Sequence, residues 1–242
     1  KMSHMDPGEY EEYNNEKWVP VTFTFVEYPQ GDYFGKFLAY GSLVPQAIII
    51  GFLTLILFRR DLHTIAFFLG QTLNELFNAI LKYTIREPRP LLRPNPYSEY
   101  AMPSSHSQFM GFFATYVLLF VLIRLHHMNN NAPLERAMRI IVIASCWIAT
   151  LLVCFGRIYL QYHSTAQVYV GVAVGICTGA LWFTIAHFFL TPYFPRIVTW
   201  KISECLLLRD TTLIPNVLWF EYTVTRQEAR ARSRKLISMK SQ

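Results

Sequence analysis

The sequence predicts an all-α polytopic membrane protein, a helical bundle of about five transmembrane helices, and three observations carry that expectation. Of its 242 residues 52% are hydrophobic and only 16% are charged, against roughly a quarter charged in a soluble domain. Several apolar runs approach or exceed the ~20 residues needed to cross a hydrocarbon core. The basic residues behind the +6 net charge sit in short links and a C-terminal run. That distribution suits membrane orientation, with the lipid bilayer as partner, and argues against nucleic acid.

Residues 1–36 form a polar, acidic segment without the apolar run of a cleavable signal peptide. Within it "VTFTFVEY" (Val21–Tyr28) alternates apolar and polar residues, the pattern of a short strand or an interfacial segment. The spans are expected at about Phe37–Phe58, Thr64–Ile85, His106–Leu125, Arg139–Gly156 and Thr165–Leu190, so that residues 37–190 make one membrane domain. A basic tail, residues 191–242, follows. No internal repeat is present. Cys146, Cys154, Cys177 and Cys205 lie in or beside apolar segments without paired spacing and read as buried thiols, neither a disulfide framework nor a zinc site.

Five spans put Arg59, Arg60, Arg124, Arg136, Arg139 and the tail's Arg226, Arg230, Arg232, Arg234 and Lys235 on one side. Lys and Arg collect on the cytoplasmic face, so the tail is expected there, near anionic headgroups, and the acidic N-terminus in the lumen or outside. Lys82, Arg86, Arg89, Arg93 and Arg157 fall on the opposite side, against that trend. Something on that side requires positive charge.

Three segments there carry reactive residue types. In the second span Gln71, Glu75, Asn78 and Lys82 recur at helical steps and share one inward face. An ionisable Glu75 within a span raises a functional hypothesis, with helix-packing hydrogen bonds as the equal alternative for Glu75 and Asn78, and snorkelling as the alternative for Lys82. In "MPSSHSQ", Ser104 and Ser105 precede His106 where a helix N-terminus offers unsatisfied N–H groups to an anion; a plain helix cap is the ordinary use of such serines. In "GRIYLQYHSTAQV", Arg157 and His163 come before Gln167, and Gln167, Gly171, Gly175 and Gly179 line one close-packing face. Together these parts suit phosphoryl transfer, which is mostly positioning and charge stabilisation. The arginines bind phosphate bidentately, one histidine attacks phosphorus and another protonates the departing oxygen. His63, His126, His127 and His187 fall toward the other side, and no metal-ligand spacing is present.

At these residues the sequence resembles the type 2 phosphatidic acid phosphatase superfamily, whose signature is K-x6-R-P, P-S-G-H and S-R-x5-H-x3-D. Here the motifs stand as Lys82…Arg89-Pro90, Pro103-Ser104-Ser105-His106 and Gly156-Arg157…His163…Gln167. The resemblance spans about residues 37–190 and implies an active site at the lumenal membrane surface. It implies His163 as the nucleophile, forming a phosphohistidine, and His106 as the general acid. Lys82, Arg89, Ser104, Ser105 and Arg157 would bind phosphate, with no metal and no cofactor. Gly156 replaces a serine and Ser105 the motif glycine, a site where a different backbone angle is at issue.

Gln167 replaces the aspartate that orients the nucleophilic imidazole. A glutamine carbonyl accepts the Nδ1–H bond but brings no charge. The corresponding amide swap in a serine protease costs ~10⁴ in kcat through the wrong tautomer. The two readings are an inactive homologue and a subfamily working without the carboxylate; retention of every other reactive position favours the second, and Glu99 is a candidate source of the missing charge. Together with "RDTTLIPNVLWFEYTVTRQEARARSRKL", the third motif is similar to the eukaryotic dolichyl-diphosphatase group, in which a glutamine at this position is expected. That similarity implies hydrolysis of dolichyl diphosphate to dolichyl phosphate and phosphate on the lumenal side of the endoplasmic reticulum, recycling the carrier of N-glycosylation. Trp219, Phe220 and Tyr222 would anchor at the interface or pack beneath the bundle. The alternatives are a phosphatidate or sphingoid-base phosphate phosphatase and a non-catalytic lipid-binding protein. A channel or transporter is disfavoured because the polar residues collect at one end.

Overall fold

A computed structural model describes residues 18–20, 26–89, 100–124, 133–214 and 217–240. Pro90, Arg93, Glu99, His126, His127 and residues 21–25 of the alternating segment lie outside these residues. Glu27 and Tyr28 of that segment lie in a strand, β2 (Glu27–Pro29), which pairs antiparallel with β1 (Trp18–Pro20). Val26 and Tyr28 pack on Leu38 and Leu160, which ties this hairpin to the helices.

Nine α-helices follow among the described residues. The first expected span is two helices, α1 (Tyr33–Gly41) and α2 (Val44–Arg59). Hydropathy runs through the junction unbroken, but Pro45 lies in the first turn of α2, where its ring and missing N–H are tolerated and further back they are not. α3 (Leu62–Ile85) starts on Asp61, whose carboxylate accepts from the Thr64 N–H at 3.2 Å. α4 (Ser105–Leu119) runs on through a π-helical turn to Arg124, and α5 spans Pro133–Tyr159. α6 (Thr165–Ile185) continues through a π turn and a 3₁₀ turn into α7 (Phe194–Val198). α8 (Lys201–Leu206) and α9 (Val217–Lys240) make the basic tail helical.

Four of these stretches, Tyr33–Arg59, Ser105–Arg124, Arg136–Tyr159 and Thr165–Val198, are long and apolar enough to cross a membrane. The 24 residues of α3 are long enough at ~1.5 Å rise each. Its polar residues keep it below that hydropathy, which is why four helices, and not five, qualify by composition. The buried polar face of α3 is Gln71, Asn74 and Asn78, while Glu75 and Lys82 are half-buried. Asn78 Nδ2 donates to Gln108 Oε1 (2.7 Å), Gln108 Nε2 to Asn74 Oδ1 (2.9 Å) and Thr178 Oγ1 to the same Asn74 oxygen (2.8 Å). Asn78 is thus a helix-packing residue. Asn74, which the helical-step reading passed over, is the centre of the network.

α4 and α6 make the closest helix pair. A methyl group built on Gly171 would lie 2.8 Å from the Ser104 carbonyl oxygen and one on Gly179 would lie 2.8 Å from that of Phe112, while one on Gly175 would overlap the Gln108 carbonyl. Only glycine admits this approach of backbones. Phe52, Phe67 and Tyr116 fill the space between α2, α3 and α4, with the Phe67 and Tyr116 rings stacked at 3.9 Å. The thiols divide: Cys154 is buried and Cys146 half-buried, but Cys177 and Cys205 are exposed, contrary to expectation. Cys177 stands two residues after Gly175 and so faces away from the glycine seam of α6.

The end of the bundle away from α3's C-terminus is closed by the tail. Thr211 Oγ1 donates to Asp61 (2.6 Å), the Leu62 N–H to the Arg209 carbonyl (3.0 Å), and Glu221 of α9 pairs with Arg59 at 3.5 Å. His63 reaches Thr212 at this end, and His187 stacks on Phe183. Trp219, Phe220 and Tyr222 lie exposed on α9.

Candidate functional site

Opposite the tail, the C-terminal ends of α3 and α5 meet the N-terminal ends of α4 and α6. The R-x5-H spacing follows from how α5 stops. After Arg157 the helix runs only to Tyr159, and Gln161 takes a left-handed conformation (φ 55°) that folds the chain back. The Arg157 carbonyl then accepts both the Tyr162 N–H (3.1 Å) and the His163 N–H (3.2 Å). Arginine and histidine are thereby fixed to one another by backbone. Ser164 follows as the N-cap of α6, in a capping box with Gln167.

Each expected phosphate-binding residue is drawn into this corner. Lys82 Nζ lies 3.4 Å from Ser105 Oγ. α3 ends at Arg86, itself left-handed (φ 53°), so residues 87–89 bend back over the bundle mouth, where the Ala101 N–H donates to the Glu87 carbonyl at 2.8 Å. Arg89 Nη1 donates to the Tyr162 carbonyl at 3.3 Å. Ser104 is fully buried, its N–H donating to the Gln167 carbonyl (3.2 Å) and its hydroxyl accepting from Ser107 (3.0 Å). It is the N-cap of α4 without making a side-chain cap bond. Ser105, in place of the motif glycine, lies in the first helical turn at negative φ, so the position demands no special backbone. Gly156, in place of serine, packs against α1: an added Cβ would sit 3.3 Å from the Leu38 carbonyl. The His106 ring is hydrogen-bonded to the Ser42 backbone, at the break between α1 and α2.

His163 is 3% exposed. Burial first, then the charges of Arg157, Arg89 and Lys82 and the His106 ring, hold its imidazole well below the usual histidine range. At neutral pH the ring is uncharged, the form with a free lone pair.

Gln167 determines which nitrogen carries it. Its Oε1 lies 3.3 Å from His163 Nδ1 and accepts from the Ser164 N–H (3.2 Å), while its Nε2 donates to Glu87 Oε1 (2.8 Å) and to the Pro88 carbonyl (3.1 Å). The Ser164 amide can only donate and the Pro88 carbonyl can only accept, so the carboxamide has one satisfactory orientation. Its oxygen faces the ring. Nδ1 is therefore the protonated nitrogen, and Nε2 keeps its lone pair.

Two residues escaped the sequence reading. Glu87 stands inside the first motif, and its acidity amid cations was the available signal; Glu99 lies outside the described residues. Tyr162 stacks beneath Arg157, its ring centre 4.2 Å from the guanidinium carbon, and its hydroxyl accepts from the Glu27 N–H at 2.8 Å. Among the described residues no group of three or more His, Cys, Asp or Glu is placed to hold a metal ion.

Apolar helices long enough to cross a bilayer, with a buried, oriented imidazole among several cations at one end of the bundle, define an integral membrane protein. A model of the PAP2 superfamily matches residues 63–190. "Dolichyldiphosphatase 1" of Rhinolophus ferrumequinum is 52% identical over 221 residues, 90% of this chain and 93% of that protein. "Lipid phosphate phosphatase gamma" of Arabidopsis thaliana is 38% identical over 226 residues, 91% of this chain and 95% of that one. The crystal structure of the first transmembrane PAP2 type phosphatidylglycerolphosphate phosphatase from Bacillus subtilis shares the fold, with a TM-score of 0.52 at 18% identity over 65% of this chain and 79% of that one. The chain belongs to the PAP2 superfamily.

Proposed function

We propose that this protein hydrolyses dolichyl diphosphate to dolichyl phosphate and inorganic phosphate, with residues 37–190 as the phosphatase domain, 1–36 as a lumenal segment and 191–242 as a cytoplasmic tail. The observation that carries the reaction is His163, held neutral with Nε2 free beside Lys82, Arg89 and Arg157. The likeness to proteins called dolichyldiphosphatase supports the substrate.

His163 Nε2 attacks the terminal phosphorus, and the bond from that phosphorus to the bridging oxygen breaks. His106 gives its proton to the bridging oxygen as dolichyl phosphate leaves. Water, deprotonated by the now basic His106, then attacks the phosphohistidine, freeing phosphate and restoring the imidazole. Lys82, Arg89 and Arg157, with Ser104, Ser105 and the first amides of α4, hold the equatorial oxygens where charge accumulates. The polyprenyl tail stays in the bilayer while the headgroup reaches the bundle mouth.

With purified protein, kcat/KM for dolichyl diphosphate should exceed that for phosphatidate or a sphingoid-base phosphate by at least ~10-fold, the discrimination worth about 1.4 kcal/mol of differential transition-state binding. A preference for phosphatidate would reject the substrate and favour the lipid phosphate phosphatase reading that the Arabidopsis relative supports.

The orientation rests on Arg59, Arg209 and the α9 arginines gathering at the end away from the site. In the endoplasmic-reticulum membrane this distribution of charge supports a lumenal site. A glycosylation acceptor inserted between residues 90 and 99 should be glycosylated in cells and one appended after Gln242 should not. The reverse pattern would place the site in the cytoplasm.

A further inference from the structure

We infer that Glu87 is a positioning residue of the site, supplying through the Gln167 carboxamide the negative charge that steadies the His163 ring. This rests on the proposed role of His163 as nucleophile. The chain of contacts is continuous: Glu87 Oε1 accepts from Gln167 Nε2 at 2.8 Å, and Gln167 Oε1 lies 3.3 Å from His163 Nδ1. A carboxylate on the nitrogen of an amide draws electron density toward its oxygen, strengthening the bond that oxygen accepts, as linked hydrogen bonds polarise one another. The amide thus extends the carboxylate's reach to a ring it does not touch.

The chemistry calls for such a charge. When Nε2 bonds to phosphorus while Nδ1 stays protonated, the ring becomes cationic. Among the described residues the charges acting on it are those of Arg157 of α5, Arg89 after α3 and Lys82 of α3, with the His106 ring of α4 beside them, and none is anionic. Among the described residues Glu87 is the acidic group joined to the ring through hydrogen bonds, and it meets Gln167 at the amide nitrogen, not at the oxygen that faces the ring. A carboxylate in direct contact would sit beside the incoming anion's own cations. At one remove, through the amide, it balances the charge on the ring.

Charge and geometry separate cleanly. The Ser164 N–H and Pro88 carbonyl still orient the amide in Glu87→Gln, so that variant keeps the tautomer and the fold and loses the charge. Its kcat on dolichyl diphosphate should fall ~10–100-fold, the usual effect of losing an outer partner of a functional imidazole. The acidic limb of kcat/KM should move to lower pH, because an anion favours the protonated ring and its removal disfavours it. Gln167→Glu alone sets two carboxylates against each other and should be worse. The double exchange, Glu87→Gln with Gln167→Glu, returns one charge to the chain and should recover most of the loss.

The ¹⁵N resonances of the His163 ring, identified by their absence in His163→Ala, read the chain without turnover. Expected is a protonated Nδ1 whose titration midpoint falls in Glu87→Gln. A normal enzyme in which Glu87→Gln alters neither kcat, nor the acidic limb, nor that midpoint overturns the inference alone. So does a ring protonated at Nε2. A protein that releases no phosphate from any lipid but shows the Nδ1 proton and the shifted midpoint overturns the proposed function and leaves the Glu87 chain standing.

Discussion

His163→Ala should lower turnover of dolichyl diphosphate by roughly 10⁴–10⁶-fold, the scale seen when a covalent nucleophile is deleted from an otherwise intact site. The loss should fall on kcat, because Lys82, Arg89 and Arg157 remain to hold the diphosphate. Three features of the folded chain set this size. The ring is buried, its Nδ1 is committed to Gln167, and its backbone N–H is bonded to the Arg157 carbonyl. Water admitted by the truncation would meet the same cations without an oriented lone pair. Rapid quenching of the unaltered enzyme in alkaline detergent, with substrate labelled at its terminal phosphate, should trap acid-labile, base-stable protein-bound phosphate, and the variant should trap none. Residual turnover within ~10-fold of the unaltered enzyme would mean that water attacks directly and that His163 only lines the pocket.

The membrane class and the reactive corner were legible because both are written in short sequence intervals. Lys82 and Arg89 bracket the end of one helix, Ser104 and His106 the start of another, and Arg157 and His163 a single chain reversal. Ser164 and Gln167 form a cap that a few residues specify. What was not legible joins distant parts of the chain or depends on backbone shape. The Glu87–Gln167 contact crosses 80 residues and the Asn78–Gln108 contact 30. Neither partner carries a local mark of the other. The break at Ser42 is invisible to hydropathy, which sums composition and ignores Pro45. α9 reads as a charged tail because its polarity hides the helix propensity of its Arg, Glu, Ala and Lys residues.

Arg157→Met should abolish activity while making the unliganded protein more stable. Arg157 is 6% exposed, its Nε has no hydrogen-bond partner, and among the described residues no carboxylate pairs with it. The Tyr162 ring, 4.2 Å away, compensates part of its charge. A buried cation so placed costs several kcal/mol after relaxation, and a phosphate oxygen is the ligand that repays it. The charge that would hold phosphate therefore carries a cost in stability. Methionine keeps the volume and removes the charge, so thermal unfolding in detergent should occur at higher temperature, by a gain of about 1–2 kcal/mol, the common exchange of stability for activity at a site. Turnover should drop ~10³–10⁵-fold, as when the arginine stabilising a phosphoryl transition state is lost. Arg157→Lys should recover little, because an ammonium neither forks across two phosphate oxygens nor stacks on the tyrosine face. Saturating vanadate should raise the unfolding temperature of the unaltered protein and leave that of Arg157→Met unmoved. A methionine variant that unfolds at lower temperature would instead make Arg157 a support of the α5–His163 turn, with its charge incidental to phosphate.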